Sequence, residues 1–144
     1  MPHTDVNSLL NHMYYVMLRS FLAYSVEVRP VSFRGPEEML DLLRRIAGEQ
    51  REFAERIGEA IRNRRGIPDP GQFPIEFMAW NDVALPRILQ HAAELLEGTL
   101  AAASAIAEKE PAAPVFHFAR EVVNLTGRHL AQLREMLATH VGSA

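Results

Sequence analysis

The sequence predicts an all-α protein: a single four-helix bundle over residues 1–144, in which two antiparallel hairpins are joined by a long crossover. Four long segments carry apolar residues at steps of three and four, which is typical of amphipathic helices, and none shows sustained alternation of apolar and polar residues. The linker between the second and third segments is much longer than the other two, as in a bundle whose halves are joined by a crossover.

The first hairpin is expected to pair a helix at about 5–28 with a helix at about 36–65. Arg29-Pro30 should end the first helix, because proline disfavours the helical conformation of the residue before it. Pro36 suits the first position of the second helix, where its missing N–H is not needed. Gly66 is expected to close that helix.

The second hairpin is expected to pair helices at about 82–110 and 114–140, with Pro86 either in the first turn or at a kink. Between the hairpins, residues 66–74 contain three prolines and two glycines, which indicates a connector. The apolar stretch Phe73–Trp80 that follows is expected to lie against the bundle, or else to dock a partner chain.

Composition excludes several classes of function. The formal net charge of −3 disfavours nucleic-acid binding, which usually requires a basic excess. Because the chain has no cysteine, it forms no disulfide, thiolate metal site or iron–sulfur cluster. It contains no run of about 18 apolar residues and shows no secretory signal, so we expect a cytoplasmic protein without a membrane span.

The sequence resembles bacterial ferritin-like domain proteins related to bacterioferritin and rubrerythrin. The resemblance covers nearly the whole chain, from Leu9 to Leu137, and three stretches carry it. These are Tyr15 to Pro30, with Tyr24 near its end; Glu49-Gln-Arg-Glu-Phe-Ala-Glu-Arg-Ile57, which looks like the second-helix motif E-x-x-H-A-x-x-L/I; and the proline-rich turn from Gly66 to Pro74. It implies a ferritin-like fold and, in working members, a di-iron centre.

That centre needs a Glu on the first helix of each half and a Glu-x-x-His on the second. The resemblance places these positions on residues of mostly the wrong type: Met17, Gln50, Phe53, Gln90 (or Ala93 in another register), Thr126 and His129. The loss does not depend on register, because no histidine here has an acidic residue three positions before it. Residues 6–26 and 83–93 contain no Asp or Glu either. We therefore expect no metal cofactor.

The remaining polar core residues leave three interpretations open. In the first, Gln50 and His129 are core residues hydrogen-bonded to each other, to Thr126 or to water. In the second, a residual mononuclear site for iron, manganese or zinc uses His129 and His91, with Gln50 beside them and with Glu94 or Glu121 or, if rotated inward, His12. In the third, an enclosed apolar pocket bordered by Met17, Phe53 and Gln50 replaces the metals.

The function expected from these observations is a metal-free structural or protein-interaction module, a homodimer that associates through a flat helical face. The alternative is a metal-dependent oxidoreductase or sensor that uses the residual histidines. Glu49 and its acidic neighbours Glu52, Glu55 and Glu59 alternate with arginines, and we interpret them as a solvated, ion-paired helix face.

Overall fold

The computed structural model describes residues 6–28, 34–110 and 113–141. All regular secondary structure within these ranges is helical, which confirms the predicted all-α class. The elements are α1 (Val6–Leu18), α2 (Phe21–Val28), α3 (Glu37–Asn63), a 3₁₀ helix (Ile75–Trp80), α4 (Leu85–Lys109) and α5 (Ala113–Val141).

The predicted first helix is wrong in one respect, because Arg19 and Ser20 divide it into α1 and α2. The Ser20 hydroxyl accepts a hydrogen bond from the backbone N–H of Ala23 at 3.0 Å, as an N-cap residue does. The same hydroxyl donates to Oε1 of Gln50 on α3 at 2.6 Å. A serine that bonds locally in this way competes with the helical ladder and starts a new helix. The expected stop at Arg29-Pro30 lies outside the described residues.

The end of α3 also differs from the expected one. Arg65, not Gly66, takes the left-handed conformation, with φ of 64°. The N–H of Gly66 then bonds to the carbonyl of Ile61 at 2.9 Å. Gly66 is required for a different reason: a Cβ there would lie 2.8 Å from Nδ2 of Asn7 and 2.9 Å from Cγ2 of Ile61. The glycine lets α1 approach the end of α3.

The described helices pair as two antiparallel hairpins, α1–α2 against α3 and α4 against α5. Asn7, at the start of α1, accepts a hydrogen bond from Arg64, which follows the end of α3. In the second hairpin, the start of α5 packs beside the end of α4, and Pro86 lies in the first turn of α4. Both hairpins contribute to two buried clusters, one around Leu43, Ile46, Ile88, Leu89 and Leu133 and the other around Leu10, Met17, Phe53, Ile57 and Val122.

The connector between the hairpins is bound along one face of α1. Asn11, Tyr15 and Arg19, spaced four residues apart, share that face. Their side chains donate to the backbone carbonyls of Ile67, Gln72 and Pro70, at 3.3, 2.7 and 3.2 Å respectively.

The 3₁₀ helix then turns its aromatic side toward the core. Phe77 and Trp80 contact Phe21 edge to face, at centroid distances of 5.2 and 5.9 Å. Ile75 and Met78 point the other way, with 75% and 60% of their surface exposed. The expectation that the apolar stretch lies against the bundle is therefore confirmed for its aromatic residues.

In the described part of the chain, no helix combines the length and the apolar composition needed to cross a membrane.

Candidate functional site

Two of the positions that the resemblance assigns to metal ligands, Met17 and Phe53, are part of the packed core. Met17 on α1 and Phe53 on α3 are both buried in one apolar cluster. The Phe53 ring contacts Phe118 of α5 at a centroid distance of 5.9 Å, and the guanidinium of Arg56 covers both rings. A thioether and a phenyl ring supply dispersion contacts here and no hard anionic ligand.

Gln50 is buried on α3, and its side chain does not bond to His129, which was one of the partners that the first interpretation allowed. Its Oε1 accepts the short hydrogen bond from Ser20, and Ser20 lies between α1 and α2. The amide oxygen at this position therefore holds the junction of two helices.

The third-helix position depends on the register. Gln90 is exposed on α4, where its Oε1 lies 3.5 Å from Nη1 of Arg87, so it faces solvent. Ala93, the alternative position, is buried in the core and carries no ligand atom.

Thr126 and His129 of α5 are both buried, one helical turn apart on the same face. Nε2 of His129 lies 2.7 Å from Oε1 of Glu49 on α3. Nδ1 of His129 and Oγ1 of Thr126 have no hydrogen-bond partner in the described structure. We assign the neutral tautomer with the proton on Nε2, because a second proton would place an unpartnered donor on Nδ1 inside the core.

The protonation of this pair follows from its surroundings. Burial lowers the pKa of His129, and the hydrogen bond and charge of Glu49 oppose that shift only in part. The charges of Arg128 and Arg45 lower it further. The pKa of Glu49 is lowered chiefly by the hydrogen bond from His129, with a contribution from Arg128, whose Nη2 is 3.5 Å away. The pair is therefore a carboxylate beside a neutral imidazole at neutral pH.

Glu49 is the site residue that the sequence did not identify. We interpreted it as part of a solvated face, yet only 37% of its side chain is exposed and it reaches a fully buried histidine. The helical spacing could have identified it. Glu49 lies three residues after Ile46 and four before Phe53, so it shares a helix face with these two buried residues.

The geometry of the Glu49–His129 pair restricts the reactions in which His129 could take part. A histidine that acts as a general base must present a ring nitrogen to the proton that it removes. Nε2 of His129 is bound to Glu49, and Nδ1 lies in a side chain with no exposed surface. The neutral imidazole of His129 is therefore buried between α3 and α5, where it is inaccessible to a substrate.

The other candidates for a residual metal site are engaged elsewhere. His91 stacks on Trp80 at 3.8 Å between ring centroids, and its Nδ1 lies 3.5 Å from Glu94. Glu121 pairs with Arg56 at 3.0 Å, and His12 is exposed on α1. No three His, Asp or Glu side chains of the described ranges are grouped as metal ligands would be. The residues at the positions that the resemblance assigns to metal ligands do not fit a di-iron centre, which requires carboxylates.

Two grooves run along the boundary between the hairpins, and we refer to them as seams. The charged seam, between α3 and α5, has a volume of about 500 Å³ and is lined by Glu49, Glu52, Phe53, Arg56, Glu121, Asn124, Leu125 and Arg128. The apolar seam, between α1 and α4 with Val122 of α5 beneath it, has a volume of about 300 Å³ and is lined by His12, Met13, Val16, Met17, Leu95, Gly98, Thr99, Ala102, Ala103, Ile106 and Val122.

These grooves do not form the single enclosed pocket of the third interpretation. Met17 lines the apolar seam, Phe53 lines the charged seam, and Gln50 lines a third groove near Ser20. Both seams are open to solvent along part of their length. The space is distributed along the helix boundaries, because Met17 and Phe53 fill the middle of the core.

No protein-family model, curated protein or solved structure matches this chain at a significant level.

Proposed function

We propose that this chain is a ferritin-like four-helix bundle that has lost its di-iron centre and acts as a non-catalytic structural or protein-interaction module. The two antiparallel hairpins and the connector along α1 support the proposed architecture. The long helices α3, α4 and α5, together with the paired α1 and α2, would be the four rods of such a bundle.

One observation carries the functional part of the proposal. Four of the assigned positions either carry a packed apolar group or bind another side chain: Met17 and Phe53 pack, Gln50 binds Ser20, and His129 binds Glu49. Thr126 offers only a buried hydroxyl, which is not a carboxylate ligand. Replacing a buried charged cluster with packed apolar groups is often neutral or stabilising for a protein. The bundle can therefore keep its fold without a metal.

Metal analysis tests this proposal directly. The chain is purified without chelators and its iron, manganese and zinc content is measured by mass spectrometry, before and after incubation with each metal. We expect substoichiometric metal and an unchanged melting temperature. Near-stoichiometric metal that is lost in both His129→Ala and His91→Ala, with helix content preserved, would contradict the proposal and support the metal-dependent alternative.

We place the interaction surface on the segment 66–80 between the hairpins, in place of the flat helical face expected from the sequence. Three of the four exposed large apolar side chains in the described ranges, Ile67, Ile75 and Met78, belong to this segment. Residues three apart on a 3₁₀ helix lie one above the other, so Ile75 and Met78 form one apolar face. The occupant that we propose is a second copy of the chain, because one patch repeated on two copies forms a closed two-fold interface.

Sedimentation velocity tests the homodimer. We expect a dimer for the unmodified chain and a monomer for the double variant Ile75→Glu, Met78→Glu. Leu95→Glu is the matched control, because Leu95 is the remaining exposed large apolar side chain and lies on α4. A monomeric unmodified chain, or dissociation caused only by Leu95→Glu, would contradict this interface.

A further inference from the structure

The apolar seam continues well beyond its central part. At one end it shares Ile106 with a groove lined by Leu9, Ala105, Lys109 and Glu110. At the other end it shares Val16, Leu95 and Thr99 with a groove that reaches Phe21 and Phe77. The three grooves follow one another along α4, where an α-helix rises about 21 Å between Leu95 and Lys109. We refer to this succession of grooves as the trough.

The floor and walls of this trough suit an alkyl chain. Met17, Ala103 and Val122 are buried beneath it, and Met13, Val16 and Ile106 form its sides. The hydroxyl of Thr99 is engaged, because it donates to the carbonyl of Leu95 at 3.3 Å. A long apolar surface with few polar groups favours a ligand that is itself long and apolar.

The charges at the two ends of the trough differ. At the Phe21 end, Arg19 is the single charged residue among those that line the groove. Nε of Arg19 donates to the carbonyl of Pro70, and its guanidinium lies over the ring of Phe73, 5.0 Å from the centroid. Among the described residues, no carboxylate forms an ion pair with this guanidinium. At the other end, the groove is lined by one positive and one negative residue, Lys109 and Glu110. A guanidinium binds a carboxylate through paired N–H donors, so an anionic head group fits the Arg19 end.

We propose that the apolar seam binds a long-chain fatty acid, with its carboxylate at Arg19 and its alkyl chain lying between α1 and α4. The proposal goes beyond the metal-free module described above and does not rest on it. Of the assigned metal positions, only Met17 lines the seam and only Gln50 lines the groove at the Arg19 end.

Gly98 permits a sharp test of the alkyl site. It lies on the wall of the seam, and a Cβ added there meets nothing within 4 Å. In Gly98→Leu the added Cβ has open space, the rest of the side chain is expected to occupy part of the trough, and the helix propensity of α4 would rise. Gly127→Leu is the matched control, because Gly127 on α5 has equally open surroundings.

Binding is measured by displacement of a fluorescent fatty-acid probe with palmitate, below its critical micelle concentration. We expect saturable binding to the unmodified chain and to Gly127→Leu, and a loss of at least about tenfold in affinity for Gly98→Leu, because the inserted side chain occupies the volume of several CH₂ groups. Equal binding by Gly98→Leu, or no saturable binding by the unmodified chain, would overturn the proposal.

The head-group site is tested with Arg19→Gln. We expect about tenfold weaker binding of palmitate and unchanged binding of hexadecanol, which has the same chain without the charge. Lys109→Gln should bind both ligands as the unmodified chain does. A similar loss of both ligands in Arg19→Gln would place the effect on packing of the connector and contradict the assigned head-group site.

Sedimentation of Gly98→Leu separates the fatty acid from a second copy as the occupant. If the unmodified chain binds no palmitate and Gly98→Leu dissociates a dimer, the seam is a subunit interface and the proposal is wrong. Neither result depends on metal content, so failure here is distinguishable from failure of the metal-free module.

Discussion

The two seams that join the hairpins are built from opposite chemistry. Across the charged seam, α3 and α5 are linked by the Glu49–His129 hydrogen bond and by the Arg56–Glu121 ion pair. The apolar seam between α1 and α4 is lined mainly by Met, Val, Leu, Ile and Ala. Directional bonds therefore fix the register of the boundary between α3 and α5, while the boundary between α1 and α4 offers apolar surface that a chain-like ligand can cover.

The largest effect is expected from the floor beneath the charged seam. Phe53→Ala should lower the free energy of unfolding by about 3–5 kcal/mol, because the lost ring leaves a cavity beside Phe118 and Arg56. Urea denaturation measures the change. Glu52→Ala, one residue away in the same seam but exposed, is the control and should change stability by less than about 0.5 kcal/mol. A small loss in Phe53→Ala would mean that the polar bonds, not the apolar floor, stabilise this boundary.

The next effect concerns the junction near the end of the apolar seam. Ser20→Ala should cost about 1–3 kcal/mol, because it removes the N-cap of α2 and leaves the buried Oε1 of Gln50 without its donor. Thermal unfolding followed by circular dichroism measures it. Thr139→Ala is the control, since its exposed hydroxyl only donates to the carbonyl one turn before it. Equal stability of the two variants would show that the helix break does not depend on Ser20.

The Glu49–His129 pair predicts a pH dependence of stability. Both pKa values are lowered in the folded chain, so the unfolded chain binds more protons in acid, and folding stability falls as pH falls. The loss from His129 begins near its ordinary value of 6.5 and the loss from Glu49 near 4.5. One proton corresponds to a slope of at most about 1.4 kcal/mol per pH unit.

Urea denaturation between pH 8 and pH 5 measures this slope. His129→Leu should flatten it, whereas His12→Gln, which changes an exposed histidine, should keep it. A slope that survives in His129→Leu would assign the acid sensitivity to other residues and would remove the pH dependence from the charged seam.

A smaller effect is expected from the Arg56–Glu121 pair, which is more than 40% exposed on both sides. A double-mutant cycle with Arg56→Gln and Glu121→Gln should give a coupling of about 0.2–1 kcal/mol that decreases with added salt. A salt-independent coupling would indicate that Arg56 acts mainly through the rings of Phe53 and Phe118 that it covers.

The smallest effect is expected at Thr126. Its hydroxyl has no partner in the described structure, so Thr126→Val should leave the unfolding free energy unchanged or raise it by up to about 1 kcal/mol. Differential scanning calorimetry measures the change. A clear loss of stability would mean that the hydroxyl binds a group in the core, and it would favour the metal-dependent alternative.

Much of the fold was predictable because helix periodicity is a local property. The apolar steps along α3 and α5 predicted both helices to within two residues at each end. The break at Ser20 was not predictable, since it depends on a hydrogen bond to Gln50, which is thirty residues away in the chain. The candidate site was predictable only by residue type: His129 was identified as a polar core residue, but Glu49 was not identified as its partner.

Residue types and their spacing were sufficient to predict that the described chain is helical. They also show that the middles of the first and third predicted helices carry no carboxylate and that the chain has no thiol. These properties follow from residue identity and from spacing within one helix. Only the folded chain shows that His129 is hydrogen-bonded to Glu49, that Gln50 is hydrogen-bonded to Ser20, and that one seam is charged and the other apolar. Such contacts depend on the rotation and axial shift of one helix against another, which the packing of the whole core determines.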